Sequence, residues 1–354
     1  MITLLVLVLA GAGIVASRVH GLSSPVLNSG GTPKAEDVPA PSFQGITAWL
    51  NSPPLTVEAL RGKVVLVDFW TYSCINCIRT LPFLRSFYAH YQAFGLEIVG
   101  VHSPEFEFEK VRSNVAAAVK EHRVVWPVAM DNDLRTWDAY ANRYWPHVYL
   151  IDRNGHIRYD FIGEGHDEEL QASIRTLLGG AGVTLPQPAP LPRLDLAGEI
   201  TPEIYLGYQR GRVQGTLWNP EGYSTEVVHN YHAPSQDLID QAGPSGAFFL
   251  VGSWVANQEY LQSGSGGAIL ELTVRARDVY VVGGADGPGE ATVQVLLDGR
   301  PVRPSAAGED VREGLLHVGL RDLYHVVHLP DVQTHFLTLV AQGSNVDLFT
   351  FTFG

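Results

Sequence analysis

Val64-Val65-Leu66-Val67-Asp68-Phe69-Trp70-Thr71-Tyr72-Ser73-Cys74-Ile75-Asn76-Cys77 runs an apolar stretch into the only two cysteines of a 354-residue chain. Residues 64–70 are apolar but for one acid, the pattern of a strand buried on both faces. Residues 75–94 then place Ile78, Leu81, Leu84, Phe87, Tyr88 and Tyr91 at helical spacing. Pro82 lies inside that helix, where it removes a backbone donor and is expected to kink it. The cysteine pair therefore sits where a buried strand turns into a helix. A disulfide across two intervening residues closes a very short ring and gains only about 2 kcal/mol. A structural zinc site takes four ligands, and no second cysteine pair exists to supply them. A dithiol that cycles between reduced and oxidised forms is the leading reading, with a local staple and metal ligation as the alternatives.

Strands and helices alternate outward from this stretch. Residues 96–101, 148–152 and 156–162 are expected strands, and 106–122, 136–142 and 167–178 expected helices. Asn154-Gly155 is a hairpin signal between the last two strands. Residues 181–198 carry Pro186, Pro188, Pro190 and Pro192 between small residues and are expected to form a stiff, extended linker. Beyond it the texture changes to short alternating segments separated by turn residues, with Asp298-Gly299 as a hairpin signal. Residues 199–354 are thus expected to form an all-β sandwich of the jelly-roll kind.

Length supports two domains. An apolar content of 45% and a charged content of 17% fit globular cores. The net charge of −13 excludes nucleic acid as a partner, since no basic stripe is available to neutralise phosphates. Residues 1–16 are almost wholly apolar but short of the ~20 needed to span a bilayer comfortably. Residues 1–21 are expected to be a signal peptide or retained membrane anchor, with a buried N-terminal helix as the alternative. Residues 22–40 are expected to be a flexible tether. The expected location is extracytoplasmic: the periplasm or the outer face of the cytoplasmic membrane.

Asp68, Phe69 and Trp70 precede the Cys-x-x-Cys pair at the spacing found in thioredoxins. Pro82 falls where those proteins kink the first active-site helix, and Pro146, in Trp145-Pro146-His147-Val148-Tyr149, falls where they carry a cis-proline. On these residues, roughly 40–180 resemble the thioredoxin superfamily. Gly100-Val101-His102-Ser103-Pro104-Glu105-Phe106 lies in a segment similar to the insertion of the TlpA/ResA-like branch. Trp70 to Pro82 resembles the thioredoxin-like part of DipZ-type proteins. The fold implied is an α/β thioredoxin-like domain over 41–180, followed by the β-sandwich.

The resemblance implies a thiol–disulfide oxidoreductase. Cys74 would sit exposed at the helix N-terminus, where free backbone N–H groups and the helix dipole favour a thiolate that attacks a substrate disulfide. Cys77, one turn further in, would resolve the mixed disulfide. Asp68, buried behind it, would relay a proton; a hydrogen-bonded strand-end acid is the alternative. Trp145, Pro146, Trp70, Ile75 and Asn76 are the candidate substrate contacts; Trp70 has an equal claim to be plain core, and the resemblance implies a cis bond at Pro146, with an ordinary trans proline as the alternative. Ser73 and the dipeptide Ile75-Asn76 depart from the Trp and Gly-Pro of thioredoxins. Potentials in this fold span roughly −270 to −120 mV, so the direction of electron flow stays open. The acid that some ResA-like proteins place near the site is not found; Glu105 is the nearest candidate for it and is read as a solvated loop charge.

No cofactor beyond the redox-active Cys74–Cys77 pair is expected. The implied partners are exported proteins with thiols or disulfides and a membrane electron carrier of the CcdA/DsbD type. DipZ-type proteins fuse that carrier to these domains, and here it is expected on a separate chain. A thiol peroxidase, suggested by residues 100–104, is the enzymatic alternative. The other alternative is an envelope glycan-docking module, because 201–208 and 349–354 resemble the C-terminal module of DipZ-type proteins, similar to carbohydrate-binding jelly rolls. Trp218, Tyr223, Tyr231, Trp254 and Tyr260 are its candidate sugar-stacking rings. His325 and His328, three apart on a strand, are expected to point to opposite faces, so no metal site is expected there. Asp286, Glu290, Glu309 and Asp310 are read as solvated turn acids rather than a calcium loop.

Overall fold

The computed structural model describes residues 32–180, 182, 184–193, 198–343 and 345–354. The expected signal or anchor and the first part of the tether lie outside these residues. The N-terminal half contains β1 (Thr32–Pro39), β2 (Ala48–Leu50), β3 (Val64–Trp70), α1 (Ile75–Tyr91), β4 (Leu96–His102), α2 (Arg112–Glu121), β5 (Val128–Met130), α3 (Arg135–Ala139), β6 (His147–Ile151), β7 (His156–Ile162) and α4 (Asp167–Gly179). The strands form one mixed sheet in the order β1-β7-β6-β3-β4-β5-β2. β3 is parallel to β4 and antiparallel to β6.

Every residue of β3 is buried because both faces of the sheet are covered. The pleat divides its side chains. Val65, Val67 and Phe69 enter one core with Trp137 and Tyr149. Val64, Leu66 and Trp70 enter the other, with Leu81, Leu84 and Phe87 of α1 and Ile174 of α4. Asp68 shares the parity of Leu66 and Trp70, so it faces α1.

Two expectations are corrected in this half. Residues 32–39 are not tether but the edge strand β1, antiparallel to β7. The helix expected over 106–122 is broken: a 3-10 turn, Glu107–Lys110, precedes α2, and Val111 between them is extended (φ −77°, ψ 113°). The proline-rich linker, expected to be stiff and extended, is also held against the domain by hydrogen bonds. Ser86 donates to the carbonyl of Pro190, Gln171 donates to that of Ala189, and the Ala189 amide donates to the Tyr91 hydroxyl.

The C-terminal half is mostly β. It contains β8 (Ile204–Tyr205), α5 (Tyr208–Gln214), β9 (Val228–Tyr231), α6 (Gln236–Ala242), β10 (Phe248–Ala256), β11 (Leu261–Ala285), β12 (Ala291–Leu297), β13 (Arg300–Pro301), β14 (Val311–Arg312), β15 (Leu315–Val318), β16 (Asp322–Gln342) and β17 (Val346–Phe353). Segments that looked like separate short strands merge into β11 and β16, of 25 and 21 residues. The apparent breaks are register shifts, between Ala276 and Asp278 and between Val279 and Tyr280, not turns. One of them overturns the reading of the histidines. Val279 opposes Val327 while Tyr280 opposes His325, so Val326 is an extra residue in β16. The bulge turns His325 and His328 to the same face, and both reach Asp278.

Of the candidate sugar-binding rings, Tyr231 and Trp254 are corrected because they are sealed in packing, and Trp218, Tyr223 and Tyr260 are partly buried. Tyr231 and Trp254 lie in the sandwich core, and Tyr223 is packed with its ring against Gly211. Trp218 leans on Ala242 and Phe249. Tyr260 lies against Phe349, with ring centroids 4.9 Å apart, and beneath Arg321.

The two halves share a core. β17 is buried at every position: Leu348, Phe351 and Phe353 fill the sandwich, while Phe349 joins the core beneath α1. There its ring meets Phe106 at 5.2 Å and Phe108 at 4.9 Å.

Candidate active site

Cys74 is the N-cap of α1, in extended conformation, and its Sγ accepts the backbone N–H of Cys77 at 3.3 Å. The helix begins here because β3 ends at Trp70 and the Cys74 thiol supplies the cap that Ser or Asp supplies elsewhere. Cys74 is half-buried and Cys77 fully buried; both are free thiols. Burial is the main cause of the rise in the Cys77 thiol's pKa, followed by its contact with Cys74. The charge of Asp68 pushes in the same direction, which places that carboxylate within electrostatic reach of Cys77.

Asp68 is sealed from solvent, and neither carboxylate oxygen has a hydrogen-bond partner. Burial alone raises it from the ordinary 3.8 to about 7. An ionisable group with uncommitted lone pairs beside a buried thiol can take up a proton that the thiol releases.

Opposite Trp70 the end of β4 contributes His102. It is fully buried, stacked on Tyr72 at 5.7 Å, and lowered by burial to about 3, so it stays neutral. Gly100, one pleat earlier, is required by packing: a Cβ there would lie 2.9 Å from the Trp70 indole nitrogen. Ser103 donates its amide to Trp70 and accepts the Trp145 indole N–H at 2.9 Å. The segment that suggested a peroxidase is thus occupied in bracing the strand end.

The candidate substrate contacts separate by exposure. Trp145 is half-buried and packs against the same core as Cys74 and Cys77. The Trp145–Pro146 peptide bond is cis, and Pro146 is buried. Asn76 is half-buried and holds Arg79, which also pairs with Glu164 at 2.7 Å. Ile75 lines a groove of about 1350 Å³ between the two halves. Trp70 is corrected: at 1% exposure its indole is interior, unable to touch a substrate.

Glu105 is corrected as well. It is not a solvated charge but pairs with Arg210 and accepts the Tyr205 hydroxyl at 2.5 Å, tying the two halves together. The acid that reaches the active-site loop is Glu109, which sequence reasoning missed. Its carboxylate accepts Ser73 Oγ at 2.6 Å and the amides of Glu105 and Phe106. Burial, then the Glu105 charge, raises it to about 7. The clue was the departure at Ser73 itself: a small hydroxyl in place of a large ring leaves room for a buried acceptor. The four turn acids do not converge. Asp286 lies by Gln262, and Asp310 caps the His325 amide.

The Redoxin family model matches residues 35–178, and the thioredoxin-like C-terminal domain model matches residues 201–354. Protein DipZ of Mycobacterium tuberculosis is 39% identical over 276 residues, covering 76% of this chain and 38% of that protein. Residues 35–178 thus form a Redoxin-family domain with the thioredoxin-like fold, followed by a thioredoxin-like C-terminal domain over residues 201–354. The chain spans less than half the length of the mycobacterial relative. Thiol-disulfide oxidoreductase YkuV of Bacillus subtilis is 29% identical over 140 residues, covering 40% of this chain and 94% of that one. A solved thioredoxin-like protein in its oxidised form is 31% identical, covers 41% of this chain and 97% of its own, and superposes with a TM-score of 0.38.

Proposed function

We propose that this chain is a thiol–disulfide oxidoreductase that works outside the cytoplasm, exchanging disulfides with exported proteins through Cys74 and Cys77. The observation that carries the reading is the stacking of a half-exposed thiol at a helix cap over a sealed thiol, next to an unpartnered carboxylate.

The Cys74 thiolate attacks one sulfur of a client disulfide; a mixed disulfide forms and the other client sulfur leaves as a thiolate. Cys77 then gives its proton to the Asp68 carboxylate and attacks Cys74 Sγ. The second client sulfur leaves, and the protein holds a Cys74–Cys77 disulfide. The client has gained two electrons and this chain has lost them. A membrane carrier of the CcdA/DsbD type returns two electrons, and protons from solvent complete the two thiols. With its carboxyl near 7, Asp68 is poised to accept and return a proton around neutrality.

The apolar run over 1–16 supports export. Among the described residues no helix is long and apolar enough to cross a membrane, so tethering rests on the N-terminal run. The test is a trap: Cys77→Ser incubated with a disulfide-bearing client is expected to accumulate an adduct on Cys74. Its absence, in a chain whose Cys74 still reacts with a small thiol reagent, would overturn the assigned roles.

A further inference from the structure

We propose that Asp278, His325 and His328 form a binding site for a zinc-class divalent ion on the wall of the groove between the two halves. The bulge at Val326 brings the three side chains to one face of the β11–β16 ladder. Asp278 Oδ1 lies 3.0 Å from His325 Nε2 and 2.6 Å from His328 Nδ1. The three donor atoms all lie within 4.8 Å of one another. An ion bound at about 2.0–2.2 Å from each needs only a small outward movement of the two rings.

The surroundings hold these donors in place. Arg277 Nε donates to Asp278 Oδ2 at 2.8 Å, which turns Oδ1 toward the histidines. The amide of Asp278 donates to the Gly354 carbonyl, and its own carbonyl accepts the Gly354 amide, so the backbone is clamped on both sides. The Tyr280 ring stacks on His325 at 4.4 Å and fixes the plane of the imidazole. Partners of this kind orient ligands in protein metal sites. His328 is the exposed member, with 58% of its side chain open to solvent.

Two imidazoles and one carboxylate suit zinc and its transition-metal neighbours rather than calcium or magnesium, which take oxygen ligands. Such a set fills three positions and leaves a fourth for water or an incoming group. The three side chains line the same groove as Ile75, directly after Cys74, and Ile78. To bind an ion, each ring must present a lone pair on the nitrogen that faces Asp278 and carry its proton on the other nitrogen. The site does not depend on the thiols.

The experiment uses the full chain with Cys74→Ser and Cys77→Ser, since a dithiol would itself capture zinc. Zn²⁺ is titrated by calorimetry and Co²⁺ by visible absorption. Expected are one saturable ion per chain, a Co²⁺ spectrum of nitrogen–oxygen ligation, and a rise in Tm with Zn²⁺. His325→Ala, His328→Ala and Asp278→Asn should each weaken binding at least about tenfold. His328→Ala alters an exposed side chain, and its metal-free Tm reports whether the fold is intact. Unchanged binding in the His325→Ala/His328→Ala double variant, or no saturable binding in the parent, would overturn the proposal.

Discussion

The floor beneath Cys77 and the seam around Ser73 each hold one buried carboxylate, and the two are treated in opposite ways. Asp68, on the floor, has both oxygens unpartnered. Glu109, in the seam, accepts a hydroxyl and two amides. Burial raises both to about 7, so the proton affinity alone does not tell them apart. What separates them is the number of lone pairs already committed. A carboxylate engaged by three donors holds a loop in place, and moving a proton on or off it disrupts those bonds. A carboxylate with no donors costs the fold stability and gains freedom to exchange a proton with its neighbour.

This contrast can be broken experimentally, starting with its common premise. Cys74→Ala should reduce disulfide exchange with a protein client to background, because the attacking sulfur is gone; retained turnover would move the chemistry elsewhere. Asp68→Asn should slow resolution of the mixed disulfide by about 10²–10⁴-fold near pH 7, the usual worth of a positioned proton acceptor. Rapid-mixing measurements across pH should show the parent rate rising through about 7, and that inflection should vanish in the variant. If Glu109→Gln slows the step as much, the distinction between floor and seam fails.

Stability tests the same pair with a definite sign. Asp68 holds its proton more tightly folded than unfolded, so its unfavourable burial is absent below pH 3.8 and complete above about 7. Denaturant unfolding should show the parent losing about 4 kcal/mol from this group as pH rises through that window, at 1.36 kcal/mol per pH unit of displacement. Asp68→Asn should flatten the curve by that amount. Glu109 is raised from 4.5 to about 7, so by the same linkage its burial costs about 3 kcal/mol above that pH. Glu109→Gln should relieve that cost while losing about 1–3 kcal/mol of bonding to Ser73 and the two amides, giving the smallest net effect, with exchange activity kept within a few-fold. A larger loss of activity than of stability would make Glu109 part of the chemistry.

Where a feature depended on neighbours in sequence, it was legible. The β3 run and the helical spacing after it place Cys74 at a helix cap, because burial on both faces and a period of 3.6 leave their mark on consecutive residues. Glu109 was hidden because the 3-10 turn that aims it breaks a stretch whose apolar spacing reads as one helix. Glu105 was misplaced because its partners, Arg210 and Tyr205, lie about a hundred residues away. The histidine pair was misread because a one-residue bulge reverses every facing beyond it, and nothing in Val326-Val327 announces it.

By itself the order of residues determined that a dithiol sits at the mouth of a helix and that a second, β-rich unit follows it. Those properties arise from local periodicity and from the covalent spacing of two sulfurs. Tertiary structure alone decided that Phe349 of the last strand enters the core beneath the active-site helix, that Glu105 joins the two halves, and that Asp278 meets two histidines across a bulged ladder. Each of these brings together side chains far apart along the chain, and the closure of such contacts is set by packing and register, which no short window of sequence encodes.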